Sequence, residues 1–374
     1  MQDSGDKSKL ITGSAQPQVT INNAISLNVP FPPINEQRRI VAKMERLLHK
    51  VSASKERLEK IPAILKRFRQ SIRAAACSGR LTADWREKNS EVEPARMLLE
   101  KIKHNRVASA KTKNEQNKII KFYDEGEERL KQKADEADLP ETWAFCEINN
   151  IGDVCNGSTP SRKKTSYWSG NIQWISSGEV RNNIITATRE RITKEGYKNS
   201  SVRLLPIGTV LLAMIGEGKT RGQTAILDIE ATINQNIAAI ALNHGLISSK
   251  YLWYWFQLQY EITRQVGSGS GPQALNCQRV RELPFHLPPL SEQQEIVHRV
   301  EALFKKADEI EARARKAKAF VYKLSQSILA NAFCGELVPQ DPNDEPASVL
   351  LERIKVERTK QEPKKRGKKV AHDA

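Results

Sequence analysis

No apolar run in this 374-residue sequence approaches the roughly 20 residues needed to span a bilayer. Its opening is polar and charged rather than leader-like. A membrane is therefore not expected among its partners. Cysteine is scarce: Cys77, Cys146, Cys155, Cys277 and Cys334 are odd in number and scattered, with no CxxC pair. That pattern predicts free thiols in a reducing, cytoplasmic setting and gives no zinc site. His244 and His286 lie far apart and read as ordinary loop or packing residues. Catalytic signatures are missing as well. There is no HExxH, no EF-hand loop, no nucleophile elbow, and no Asn-Pro-Pro-Tyr or Asp-Pro-Pro-Tyr run. No catalytic residue, metal or cofactor is expected.

Acidic charge is also in deficit. Asp and Glu number 44 against 60 Lys and Arg, a net charge of +16. Such an excess points to nucleic acid or another anionic surface; its bland counterpart is a basic protein with solvated helix faces. Lys66, Arg67, Arg69 and Arg73 could touch phosphates, and Lys364–Lys369 reads as a non-specific basic arm.

What the chain does contain is the same helix twice. PPINEQRRIVAKMERLLHKV (Pro32 to Val51) recurs as PPLSEQQEIVHRVEALFKKA (Pro288 to Ala307), 256 residues on, with register kept to Gly79 and Gly335. The match resumes with Glu93-Pro94-Ala95 against Glu345-Pro346-Ala347. In the first copy Ile40, Met44, Leu47, Val51, Leu58, Ile61, Leu65, Phe68 and Ile72 recur in alternating steps, with Ser54 as the polar entry. In the second the seam is Ile296, Val300, Leu303, Ala307, Ile310, Ala314, Ala317, Val321, Leu324 and Ile328. A 3.5-residue repeat of this length predicts a coiled coil. Small residues in one seam and large ones in the other favour antiparallel pairing with each other. Asn35 and Ser291 are read as N-caps, Glu36 and Glu292 as first-turn acids, and Gly79 and Gly335 as stops. Each rod of about 43 residues would be roughly 64 Å long. Pro62 should kink the first.

The fold class expected is α+β: one globular domain of mixed strands and short helices, flanked by two long helices paired as an antiparallel coiled coil. Segment boundaries fall at 1–28, 29–82 (first helix), 83–138 (charged linker), 139–287 (globular domain), 288–338 (second helix) and 339–374 (basic tail). NIQWISSG, GTVLLAMIG, QTAILDI and NIAAIAL are the β-type runs, and Leu252–Tyr260 a short core helix.

AMIGEGKT (Ala213–Thr220) imitates a phosphate loop, but Ala213 replaces the first glycine and Lys219 leads into turn and strand. Nucleotide hydrolysis there is a minor alternative. Base edges and phosphates are read by Arg, Lys, Asn, Gln, Ser and Thr. Polar turns of that composition supply the candidate DNA-binding residues: Ser158, Thr159, Arg162, Lys163, Ser177, Lys219, Arg221, Gln235, Asn236 and Gln273. Each turn taken alone is equally an ordinary polar loop.

These residues carry a resemblance. Leu139-Pro-x-x-Trp143, GSTPSR (157–162), YWSGNIQWISSGEV (167–180), GTVLLAMIGEGKTRGQTAIL (208–227), ATINQNIAAI (231–240) and LPPLSEQQEIV (287–297) follow in order as in the specificity subunits of type I restriction–modification systems. The resemblance spans about residues 12–355. It implies a non-catalytic subunit that reads double-stranded DNA and docks methylation subunits on its paired helices, and through them the restriction subunit. Members of that family carry two recognition domains; this chain shows one, with residues 13–33 resembling the close of another. A half-subunit that self-associates or pairs with another half-subunit, or an N-terminally truncated form, is therefore expected. The alternative from another class is a coiled-coil adaptor that binds only protein.

Overall fold

The computed structural model describes residues 11–12, 18–19, 28–136, 138–216, 218–242, 245–265 and 275–361. Most of the 1–28 segment, His244, Gln273 with its Gly267–Gln273 turn, and the basic arm lie outside them. The chain divides into two units, 1–62 with 311–374, and 63–310.

Two helices of equal length, α1 (Ile34–Cys77) and α6 (Leu290–Phe333), each run 44 residues. Their starts differ from expectation by one step. Asn35 and Ser291 lie inside the first turn rather than capping it, because the proline carbonyls already accept its first bonds. Gln37 N donates to Pro33 O, and Gln293 N to Pro289 O, both at 2.9 Å. The same glutamines reach back with their side chains, to Pro32 O at 2.7 Å and Pro288 O at 3.0 Å. Both ends follow the sequence: Gly79 and Gly335 each adopt φ +76°. α1 runs on through Pro62.

In the first unit Lys318 lies 3.8 Å from Glu59, and Arg39 pairs with Asp344 at 2.6 Å. In the second, Arg69 meets Asp308 at 2.6 Å, and Arg73 stacks 5.0 Å from the Phe304 ring centre. As one number rises its partner falls, which is the signature of an antiparallel pair. Burial lowers the pKa of the Arg73 guanidinium. Arg69 and Arg73, expected to face phosphate, are thus held by the opposite helix. The seam is thinner than its sequence suggests. Leu65, Ile72, Ile296, Val300, Ala307 and Ile328 are buried, whereas Phe68, Ile310 and Leu324 stay exposed.

Residues 83–138, read as a charged linker, are instead largely helical: after a short helix at Ala83–Lys88 come two longer packed helices, α2 (Ala95–Ser109) and α3 (Lys113–Glu136). Ala95, Leu98, Ile102, Tyr123 and Leu130 are buried. Widely spaced apolar residues among many charges hid this packing face. Arg129 fixes α3 with a two-pronged pair on the buried Glu147 carboxylate, at 3.0 and 2.7 Å.

The globular domain contains a five-stranded sheet in the order β4 (Asp153–Asn156), β11 (Ile237–Ala241), β8 (Val210–Ala213), β9 (Thr224–Leu227), β6 (Asn183–Ile185). Beside it β5 (Trp168–Ile175) pairs with β7 (Glu190–Ile192) and, in parallel, with β10 (Thr232–Ile233). β12 (Pro284–Leu287) closes the domain on β3 (Ala144–Glu147). The strands named in the sequence are present, and the aromatic run forms α4 (Ser249–Leu258). α5 (Tyr260–Gln265) follows it, and α7 (Ala347–Gln361) ends the described chain.

The glycine stops are not equivalent. A Cβ on Gly79 would come within 2.5 Å of Pro140, whereas one on Gly335 would meet nothing closer than Gln340 at 3.9 Å. Gly335→Ala is expected to lose about 1–2 kcal/mol from the left-handed backbone alone. Gly79→Ala should lose clearly more in the same urea titration, because Pro140 must also move.

Candidate nucleic-acid interface

Strand directions gather the polar turns at one end of the large sheet. Asn156 closes β4, Ile237 opens β11, Ala213 closes β8 and Thr224 opens β9. The register places Asn156 by Ala238, Ala213 by Ile237 and Thr224 by Leu212. The parallel pair β5–β10 also ends there, Ile175 beside Ile233. The turns at 157–162, 176–182, 214–223 and 234–236 therefore share one rim.

Hydrogen bonds fasten these turns together. Gly157 N donates to Asn234 O and Ser158 N to Ile233 O. Trp174 Nε1 donates to Ser158 O at 3.0 Å. The Thr159 hydroxyl donates to Gln235 Oε1 at 2.7 Å. Asn234 is buried, its Oδ1 accepting from Asn236 N at 3.1 Å. Asn236 O in turn takes Met214 N, which ties in the 214–223 turn. Asn182, at φ +55°, accepts Thr224 N on its side chain at 3.1 Å. Ser177 lies in a helical turn whose Glu179 carboxylate accepts from Ser176 N and Arg189 N, both at 3.0 Å.

The candidate residues divide into those left facing solvent and those already engaged. Lys163, Lys219 and Gln235 are exposed, while Ser158, Thr159, Ser177 and Asn236 are half-buried at the rim. Arg221, expected to touch DNA, turns inward. Its Nη2 donates to Arg264 O at 2.7 Å. Tyr260 and Arg264 pin the same turn from α5, Tyr260 OH on Lys219 O at 2.9 Å and Arg264 Nη1 on Gly218 O at 2.6 Å. These pins keep residues 218–222 in turns that feed β9, so the phosphate-loop imitation lacks its helix. Arg162 is engaged too. It pairs with Glu190 through Nη2 at 2.9 Å and lies 3.7 Å from the Trp168 ring centre. That pair raises the Arg162 pKa and lowers that of Glu190.

Sequence reasoning missed Arg181 and Arg189, exposed cations on the same rim, because no motif marks them. It also missed the Arg162 cradle, because Trp168 and Trp174, whose ring centres lie 5.1 Å apart, are separated by a register irregularity between Trp168 and Ile172 that breaks simple alternation.

Behind the rim a buried carboxylate seats the domain on α6. Glu292 is fully buried and accepts from the Thr82 hydroxyl (2.6 Å), Arg86 Nη1 (2.5 Å) and Trp143 Nε1 (2.8 Å). Nearby, His286 Nδ1 lies 2.9 Å from Cys77 O, and burial lowers the His286 pKa below 6.5. The unfolded chain then takes up the proton first. The contribution of His286 is fully present above pH 6.5 and is lost as pH falls toward the folded value. His286→Asn should remove part of the drop in urea midpoint between pH 7 and pH 5.

Among the described residues no group of His, Cys, Asp and Glu could hold a metal, and no helix is long and apolar enough to cross a membrane.

A family model described as the type I restriction modification DNA specificity domain matches residues 3–63 and 140–319. The chain is 32% identical to the Escherichia coli type I restriction enzyme EcoBI specificity subunit, covering 91% of this chain and 66% of that protein. It is 31% identical to the Salmonella potsdam StySPI specificity subunit, covering 92% and 67%. The chain thus spans about two thirds of the length of these relatives. Among solved structures, the HsdS subunit from Thermoanaerobacter tengcongensis superimposes with a TM-score of 0.51 at 18% identity, covering 88% of this chain and 67% of that one. A chain from a structure of type I R-M complex assembly gives 0.55 at 18% identity, over 87% and 65%. The structural likeness supports the mixed fold with long helices.

Proposed function

Because this chain belongs to the type I restriction–modification DNA specificity family, we propose that it is a non-catalytic subunit that reads one half of a double-stranded DNA site. The rim of polar turns is the reading surface. Lys163, Lys219, Arg181 and Arg189 meet phosphates. Gln235, Asn236, Ser177 and the Thr159 hydroxyl meet base edges. Arg162, half exposed beside Glu190, also faces the duplex, and Arg221 holds its turn from behind. The paired helices carry methylation subunits, and through them the restriction subunit. The compartment is the cytoplasm, in keeping with five free thiols.

The observation that carries this reading is the convergence of four separate polar turns on one sheet end, cross-linked by the Thr159–Gln235 and Met214–Asn236 bonds. Gln235→Ala tests it in a duplex-binding titration. A lost base-edge pairing is expected to reduce discrimination by about 1–3 kcal/mol at one base pair, with non-specific affinity kept. Uniform weakening across all sequences would count against the assignment. A protein-only adaptor would retain no specific duplex even at low salt.

A further inference from the structure

The rim is built of polar turns, yet one large apolar side chain lies on it. Ile215 is 45% exposed, while Met214 beside it is 4%. Among the described residues of the four turns, no other large hydrophobic side chain is left exposed. An isolated exposed isoleucine carries no meaning by itself; its position among hydrogen-bonding turns does. Ile215 follows β8, the middle strand of the five-stranded sheet, and so lies at the centre of that sheet end. The turn at 234–236 leads into β11 on one side, and the 214–223 turn returns as β9 on the other.

The backbone beneath it is held from several directions. Met214 N donates to Asn236 O, Ala213 N to Gln223 O and Gly222 N to Ala213 O, each at 2.9 Å. Gly216 follows at φ +139°, a conformation that glycine adopts freely and other residues do not. A Cβ there would come within 3.0 Å of the Thr220 side chain. The chain therefore turns away directly after Ile215. A β-branched side chain is also stiff at χ1, so it has little rotamer freedom to lose on contact. The fold thus fixes an apolar surface in the middle of a hydrogen-bonding one.

Base edges in the major groove present donors, acceptors and one apolar feature, the C5-methyl of thymine. A polar side chain placed against that methyl would be desolvated without a partner, whereas an aliphatic one gains from burying it. We propose that Ile215 is a thymine reader, packing on the C5-methyl at one position of the half-site while Gln235 and Asn236 bond to neighbouring edges. The proposal rests on the assignment of the rim as the DNA-reading surface and names the base that its one apolar residue selects.

The test uses the full chain with its methylation subunits, and duplexes carrying the half-site identified from the modified motif. Each thymine in turn is replaced by deoxyuridine, which keeps the hydrogen-bonding edge and lacks the methyl. One replacement is expected to weaken binding about fourfold, the worth of one buried methyl group. With Ile215→Ala the same replacement should change nothing, whereas Gln235→Ala should retain the fourfold loss. The Ile215 side chain is exposed, so Ile215→Ala is expected to fold, as an unchanged thermal midpoint would verify. A loss that persists in Ile215→Ala, or the absence of any sensitive thymine, overturns the proposal. If Gln235→Ala still relaxes base preference in those titrations, the rim keeps its assignment and only the methyl contact falls. Specific binding indifferent to both Ile215→Ala and Gln235→Ala would overturn the two together.

Discussion

Glu292→Ala is expected to lower the stability of the 63–310 unit by about 3–5 kcal/mol, the range for removing one partner of a buried, hydrogen-bonded charge. Three donors from separate places converge on this carboxylate: Thr82, Arg86 and the domain-opening Trp143. Without it the Arg86 guanidinium, whose side chain is only 20% exposed, and the indole N–H keep their desolvation without an acceptor. Glu292→Gln retains one acceptor oxygen and should lose less. Glu36→Ala should lose less, because among the described residues no side-chain donor is paired with that carboxylate. Urea titrations of the three variants check the order. A loss below 1 kcal/mol for Glu292→Ala would show that packing, not this network, seats the domain.

Salt should act on DNA binding even more strongly. Lys163, Lys164, Arg181, Arg189 and Lys219 are exposed on or beside the rim of polar turns. Five phosphate contacts at about 0.9 each give a slope of about −4.5 in a log–log plot of affinity against salt. Affinity then falls about 500-fold between 50 and 200 mM salt. Lys219→Ala should flatten the slope by about 1 while leaving base preference alone. A slope near zero would place the duplex elsewhere. Arg221→Ala should behave differently, because its guanidinium holds Arg264 O rather than solvent. Its loss should loosen the turn and reduce base discrimination more than the salt slope.

The helical half of this molecule was legible because it depends on local pattern. A 3.5-residue seam, two glycines and a repeated Pro-Pro start define α1 and α6 to within a residue or two. The caps were misplaced because the first intrahelical bonds already run to Pro33 O and Pro289 O, which puts the prolines at the cap position and Asn35 and Ser291 inside the first turn. The seam also overstated burial: Phe68 and Leu324 obey the periodicity yet remain exposed. Periodicity reports which face a residue shares, not whether anything covers it.

The rim of polar turns was legible in composition and not in arrangement. Each polar turn stood out on its own residues. Their meeting at one sheet end depends on long-range pairings such as Ile175 with Ile233 and Asn183 with Ala225, which no local signal encodes. The same limit explains Arg162 and Arg221. Both look like DNA contacts by residue type, and both are claimed by groups distant in sequence, Glu190 and Arg264 O. Residues 83–138 failed differently: their charges dominated the pattern, and the few apolar positions that bury α2 and α3 were too sparse to show.

Methylome sequencing of cells expressing this chain with its methylation subunits tests the central claim most directly. Cells carrying Gln235→Ala, compared with cells carrying the unaltered chain, should show a modified motif relaxed at one position within one contiguous half-site, the rest kept. An unchanged motif, or no methylation with either chain, would contradict the assignment of the rim as the DNA-reading surface.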